Sequence, residues 1–282
     1  MNTRAIRRLL LDLAGTVRPI ESASLSVVSD DDWTTLDDLA GQHRLCPLLY
    51  AIHRAQPAVP PRVLESWHHE YRASALQSLV IRADLAECCR LLEQRGFAPI
   101  ALKGAYLAWH AYPEAAQRPL RDIDLLLTAD TVADAHAALL SEGYSQPEPP
   151  EMAIADYVRM DKHLPPLIAP RGTAIEIHHR LSMPHGALDH FTPAGDEAGV
   201  RQRAIRVDGL SFPCPEDMLV HLIVHAVHGH RLDCGPLVLT DIRHLVSAHA
   251  IDGDRFSARA RAEGWLGGAQ LLFRLVRQYH GA

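Results

Sequence analysis

Two aspartates, Asp122 and Asp124, stand one residue apart and lead directly into an apolar run over residues 125–127. Side chains alternate between faces along an extended strand, so the two carboxylates should share one face, about 6.5 Å apart at the backbone. Two like charges at that spacing repel one another unless a cation lies between them. Hard divalent cations such as Mg²⁺ bind carboxylate oxygens and take substrate phosphates as further ligands. The pair therefore predicts a metal site that acts on phosphates, the alternative being a polar strand end that faces water.

A third acid, Glu176, lies in an alternating apolar segment over residues 174–178. As a carboxylate on a buried strand it could complete a two-metal cluster, whereas on an edge strand it would be an ordinary exposed acid. His178 shares a strand face with Glu176 because the two are two residues apart. We expect His178 to orient the acids from behind them or to accept a proton from substrate.

The elements around these residues alternate between helical and extended patterns. A long helical pattern over about 62–95 ends at Gly96, and the first strand should follow over about 97–102. Asp130 is predicted to cap a helix over about 131–141. Two hairpins are expected, one pairing 158–168 with 173–181 and one over 203–212 that turns at Asp208-Gly209.

This order of elements predicts an α+β fold, with a small mixed sheet and helices on both sides of it in the sequence. We expect a helical region over 1–95, a catalytic core over 96–212 and a second helical region over 213–282.

Composition narrows the class of protein. The net charge of −6 disfavours nucleic acid as a partner, since a general nucleic-acid binder presents a basic face. The five cysteines include no C-x-x-C pair and their number is odd, which favours a reduced, cytoplasmic setting. No stretch approaches the roughly 18 consecutive apolar residues of a membrane span.

A longer pattern runs through the aspartate pair: a Lys-Gly turn at Lys103-Gly104, then Tyr-Pro, then an arginine, then Asp-Ile-Asp-Leu-Leu-Leu. This pattern resembles the signature of an uncharacterised branch of the nucleotidyltransferase superfamily, and the resemblance covers most of the chain. It implies a polymerase-β-like core, in which a glycine-containing turn opens a helix, a D-x-D strand follows, and a neighbouring strand supplies a third acid. Glu176 fits that third position.

The resemblance also implies a reaction. Asp122, Asp124 and Glu176 would hold two Mg²⁺ (or Mn²⁺) ions, which position a nucleoside triphosphate (NTP) for phosphoryl transfer. A nucleoside monophosphate, most simply AMP, would pass to a hydroxyl or phosphate on a small molecule or on a protein or peptide, with release of pyrophosphate. The sequence does not choose between these acceptors.

Phosphate binding is expected around the turn and before the strand. Gly104 would let the backbone approach phosphate oxygens, and Lys103 would add a charge. Arg118 and Arg121 would bind phosphates or pair with Asp122, with a solvated surface position as the alternative for each cation. Many members of the superfamily carry serine after this glycine, whereas this chain has Ala105 and so lacks that hydroxyl.

Two other functions remain open at this point. The loss of the hydroxyl at Ala105 would suit a regulatory protein that binds nucleotide and turns it over poorly. The stretch from His221 to Cys234 contains four histidines, an aspartate and a cysteine, and its His221/His225 pair has the one-turn spacing of some zinc ligands. A zinc-dependent hydrolase is therefore the third hypothesis.

Overall fold

The computed structural model describes residues 1–15, 20–183 and 195–281. Its N-terminal part is helical, as predicted, and its longest element is a helix of 34 residues that starts at a proline and is followed by Gly96 at φ +85°. A positive φ suits glycine, which explains why the helical pattern stops there. The helices of this part are α1 (Thr3–Ala14), α2 (Ser22–Leu25), α3 (Asp30–Gln42), α4 (Cys46–His53) and α5 (Pro61–Gln94).

The described residues form two sheets, and the larger has four strands in the order β1-β2-β4-β3. Strand β2 runs parallel to β4, while β1 and β3 pair antiparallel to their neighbours, so the sheet is mixed as predicted. The expected α+β fold is thus confirmed. The strands are β1 (Ile100–Ala101), β2 (Asp122–Leu126), β3 (Leu167–Ile168) and β4 (Ala174–His178).

The register of the two central strands decides what the sheet presents. Asp124 lies opposite Glu176, and Asp122 lies opposite Ala174. Ile123 and Ile175 are 1% exposed or less, so they point into the core while the acids face away from it. The alternation read from the sequence is therefore correct in both strands.

Between and after these strands the chain forms short connecting elements. Helix α6 (Gly104–His110) and a 3₁₀ turn join β1 to β2, and α7 (Val132–Ser141) and α8 (Ile154–Met160) join β2 to β3. The separate two-stranded hairpin, β5 (Ile205–Val207) and β6 (Leu210–Phe212), follows α9 (Glu197–Gln202) and turns at Asp208-Gly209, as predicted.

Three expectations about local structure were wrong. Val158 belongs to helix α8, so the first arm of the hairpin is only the two residues of β3. The first strand is also shorter than expected, because only Ile100 and Ala101 pair with β2. The residue that caps α7 is Thr131 rather than Asp130, and its side chain makes no capping hydrogen bond.

The C-terminal part is helical, as predicted, and one hydrophobic cluster of buried residues runs from Ile6 through the sheet to Val276. The three regions therefore share a core, and their exact boundaries remain a prediction. Among the described residues, no helix is both long and apolar enough to cross a membrane. The helices are α10 (Pro215–Val224), α11 (Leu237–Ala248), α12 (Gly253–Ala262) and α13 (Leu266–His280), with a π-helical turn at His225–Gly229.

Candidate functional site

The three predicted acids, Asp122, Asp124 and Glu176, line one cavity of about 360 Å³ at the exposed face of β2 and β4. Parallel pairing of the two strands brings Asp124 and Glu176 side by side, and Asp122 lies two residues earlier on the same face. Each acid follows or precedes a buried aliphatic residue, which anchors its strand and fixes the direction of its carboxylate.

Asp124 is the most enclosed of the three, with 9% of its side chain exposed. Its Oδ2 atom lies 3.2 Å from Lys103 Nζ, and its Oδ1 atom lies 2.9 Å from His178 Nε2. Burial opposes ionisation here, but Lys103 and His178 outweigh it and hold the pKa of Asp124 well below its usual range. Asp124 is therefore an anion that is held by two donors.

His178 links Asp124 to Glu176. Its Nε2 atom lies 3.3 Å from Glu176 Oε2, and its side chain is 2% exposed. Burial alone would lower the pKa of His178, but the two carboxylates raise it. In return, the hydrogen bond from His178 lowers the pKa of Glu176, against the opposing effects of burial and of Asp124. The predicted position of His178 beside the acids is what the structure shows.

Asp122 has no such donor among the described residues, and it is exposed at the start of its strand. Partial burial of its carboxyl in the cavity, together with the charges of Asp124 and Glu176, raises the pKa of Asp122. The three acids thus repel one another, as expected from the sequence. In the described part of the chain, the ligand atoms close enough to share a metal ion, within 4.8 Å of one another, belong to Asp124, Glu176 and His178, and Asp122 is not among them.

The Lys-Gly turn lies at the edge of the same cavity. Lys103 adopts φ +42°, a conformation that is uncommon for a residue with a side chain, and directs its ammonium group at Asp124. A Cβ atom added to Gly104 would lie 2.7 Å from Arg118 Nη1 and 2.8 Å from Leu120 Cδ2. Glycine is therefore required here because the arginine and leucine before β2 pack against the turn.

Arg118 is held by Asp241 from helix α11. Its Nε atom donates to Asp241 Oδ1 at 2.8 Å and its Nη2 atom to Oδ2 at 2.9 Å, while the Tyr112 hydroxyl donates to Oδ1 at 2.7 Å. This two-pronged ion pair is almost fully buried. Arg118 thus lines the cavity as a paired group, whereas Arg121 is exposed and makes no ion pair within the described residues.

Two cations of the cavity were missed in the sequence. Arg44, between α3 and α4, reaches the cavity from the N-terminal region, and Lys162 reaches it from the segment before β3. Burial, followed by the like charges of Arg121 and Arg118, lowers the pKa of Arg44. Arg44 precedes Asp122 by 78 residues in the sequence, and no local pattern identifies it as a residue of the site.

The His221–Cys234 stretch contributes walls and no metal cluster. His225 and His230 line the cavity, and their rings pack edge to face 4.4 Å apart. Burial lowers the pKa of His221 and of His225, so both are neutral at pH 7. Because none of these histidines belongs to the one three-ligand group of the described residues, the arrangement gives the zinc hypothesis no support.

Comparison with known proteins identifies the family of the chain. No curated protein matches the chain. Among solved structures, the chain is similar to that of ANT(2'')-Ia, described as an antibiotic-resistance factor, with 13% identity, coverage of 71% of this chain and 97% of that chain, and a TM-score of 0.41. A family model described as "uncharacterised nucleotidyltransferase" matches residues 29–281. The chain therefore belongs to this nucleotidyltransferase family and is an enzyme that transfers phosphorus-containing groups.

Proposed function

We propose that the protein transfers a nucleoside monophosphate, most simply AMP, from an NTP to a hydroxyl or phosphate acceptor on a small molecule or on a protein or peptide, with release of pyrophosphate. The observation that carries the proposal is the convergence of Asp122, Asp124 and Glu176 on one cavity that five cationic side chains also line. Carboxylates beside cations suit a substrate that arrives as a metal-bound polyphosphate.

The donor set fits hard divalent cations. Asp122, Asp124 and Glu176 offer carboxylate oxygens, the ligand type that Mg²⁺ and Mn²⁺ prefer. Burial and then the charges of Asp124 and Glu176 raise the pKa of Asp122, so a cation beside the three acids would relieve their mutual repulsion. These three residues would hold two ions. When bound, such ions neutralise the phosphates and lower the pKa of an acceptor hydroxyl.

The protein's own groups then bind and orient the substrate. Arg121 is exposed at the cavity and is free to pair with a phosphate, and Lys103 already reaches the same space from the turn. Arg118 has its Nε and Nη2 atoms committed to Asp241, which leaves its Nη1 edge beside Gly104 for a further contact. His178 stands behind Asp124 and Glu176 and fixes the direction of both carboxylates.

The proposal is tested by thermal stabilisation with each NTP, with and without Mg²⁺, followed by pyrophosphate release with a panel of acceptors. We expect Mg²⁺-dependent stabilisation in the wild type and its loss in Asp122→Asn, an exposed position where the change should not disturb folding. Asp38→Asn on an exposed face of α3 is the matched control and should behave as the wild type.

Equal responses of the wild type and Asp122→Asn would rule the proposal out. Nucleotide binding without release of pyrophosphate from the NTP, whichever acceptor is present, would instead favour the regulatory function, for which Ala105 in place of serine is the sequence support.

A further inference from the structure

A second cavity, of about 350 Å³, adjoins the carboxylate cavity. The two share four residues as walls, Arg44, Pro119, Leu120 and Arg121. The remaining walls of the second cavity come from the end of α3, the start of α4 and helix α5, which belong to the N-terminal helical region. Its volume lies in the range of about 300–1,000 Å³ that is typical of small-molecule sites.

Helix α5 presents three hydrogen-bonding side chains to this second cavity, Glu70, Ser74 and Gln77. Their spacing of four and then three residues places them on one face of the helix. Ser74 is 7% exposed, and its Oγ atom has no hydrogen-bond partner among the described residues. A buried hydroxyl without a partner is costly, so a ligand that bonds to it would stabilise the site.

The boundary between the cavities is cationic. Arg44 and Arg121 both line this junction, and the charge of Arg121 acts on Arg44. Within the described residues, neither has a carboxylate in ion-pair distance. Arg44 is half-buried and adopts φ +57°, a conformation that costs free energy for a residue with a side chain. Two like charges at one junction repel each other, and an anion between them or beside them would relieve that repulsion.

We propose that the second cavity binds the nucleoside of the NTP, and that Arg44 and Arg121 contact the phosphate next to it. The proposal rests on the proposed function and identifies where its nucleotide lies. Pro47 and Leu120 supply apolar walls for a base, and Ser74 and Gln77 supply donors and acceptors for its edge or for the ribose.

The negative charge of Glu70 determines which end of the nucleotide lies in the second cavity. A carboxylate in the second cavity repels a phosphate and accepts hydrogen bonds from amino or hydroxyl groups, which a nucleoside has. The arginines at the junction then receive the phosphate, and the chain of phosphates continues into the cavity of Asp122 and Asp124. A molecule that is neutral at one end and anionic at the other fits this sequence of groups.

The experiment compares two ligands by titration calorimetry in the presence of Mg²⁺: ATP, and tripolyphosphate, which has the same phosphates and no nucleoside. We expect Gln77→Ala to weaken ATP binding about five- to tenfold, the equivalent of one lost hydrogen bond, and to leave tripolyphosphate binding unchanged. Ala73→Phe fills the cavity from an exposed position on α5 and should have a larger effect in the same direction. Arg44→Gln should weaken both ligands.

The control variant is Gln270→Ala, at an exposed position on α13, which should bind both ligands as the wild type does. If Gln77→Ala and Ala73→Phe bind ATP like the wild type, the nucleoside does not lie in the second cavity, and the nucleotidyl transfer proposal stands. The same result combined with weaker acceptor use would assign the cavity to the acceptor. If the wild type binds neither ATP nor tripolyphosphate, the proposed function itself fails.

Discussion

The ion pair between Arg118 and Asp241 connects the loop before β2 to helix α11, and its loss should destabilise the whole protein. Asp241 has 5% of its side chain exposed and accepts three hydrogen bonds, two from Arg118 and one from Tyr112. In Asp241→Ala the guanidinium of Arg118, with 12% of its side chain exposed, would remain buried without the carboxylate that it is paired with. Removing one partner of a buried pair typically costs about 3–5 kcal/mol.

The free energy of unfolding measured with urea provides the test, with Asp156→Ala as the matched control. Asp156 also binds an arginine, Arg159, at 2.8 Å, but that pair is exposed on α8. Exposed pairs contribute about 0–1 kcal/mol, so the control should change stability far less. The difference between the two variants isolates the effect of burial, because both remove an aspartate from an arginine.

A double substitution sharpens this test. In Arg118→Met/Asp241→Leu both charges are gone, and the double variant should be more stable than Asp241→Ala alone, since no buried charge is left without a partner. Two results would refute the reasoning. One is a free energy of unfolding that falls by less than about 1 kcal/mol in Asp241→Ala. The other is additivity, in which the double variant loses as much stability as Asp241→Ala and Arg118→Met lose in total.

Three further outcomes are expected. Gly104→Ala should cost about 1–3 kcal/mol in unfolding free energy because the new methyl group would meet Arg118, whereas Gly41→Ala, where nothing lies within 4 Å, should cost nothing. Burial lowers the pKa of His280 to about 4, below its value of about 6.5 in an unfolded chain. The contribution of the buried, neutral His280 to the free energy of unfolding is therefore fully present above pH 6.5 and is lost as the pH falls toward 4. Between pH 7.5 and pH 5, the free energy of unfolding measured with urea should therefore fall by about 2 kcal/mol less in His280→Phe than in the wild type. Burial raises the pKa of the Cys88 thiol to about 12, so a thiol reagent at pH 8 should modify it only after unfolding.

Much of the site could be predicted from short-range patterns. Side chains alternate between the two faces of a strand, so burial of Ile123 and Leu125 places Asp122 and Asp124 together on the opposite face. The orientation of the two acids could therefore be predicted from these aliphatic residues alone. In the same way, burial of Ile175 and Ile177 places Glu176 and His178 together on one face of β4. The long helix α5 was equally clear, because its apolar residues repeat with helical spacing and Gly96 ends it.

What the sequence did not reveal depends on contacts between distant segments. Lys103 was expected to bind phosphate, and in this structure its ammonium group pairs with Asp124, 21 residues later, counting 124 − 103. Arg118 was expected to bind phosphates or pair with Asp122, and Asp241 on α11, 123 residues away, accepts hydrogen bonds from its Nε and Nη2 atoms. Strand β1 was overestimated because its length is set by the residues of β2 that pair with it and not by its own apolar run.

The arrangement of these distant contacts explains why the helical regions accompany the sheet. The carboxylates come from β2 and β4, but Arg44 comes from the N-terminal helices and His225 and Asp241 come from the C-terminal ones. The four short strands orient the acids, but they contain no lysine or arginine and line only one side of the cavity. The helices on both sides provide walls, and the N-terminal region adds Arg44 to the four cations that come from the segments between the strands. We therefore expect substitutions at Arg44 to alter nucleotide binding as strongly as substitutions beside the sheet.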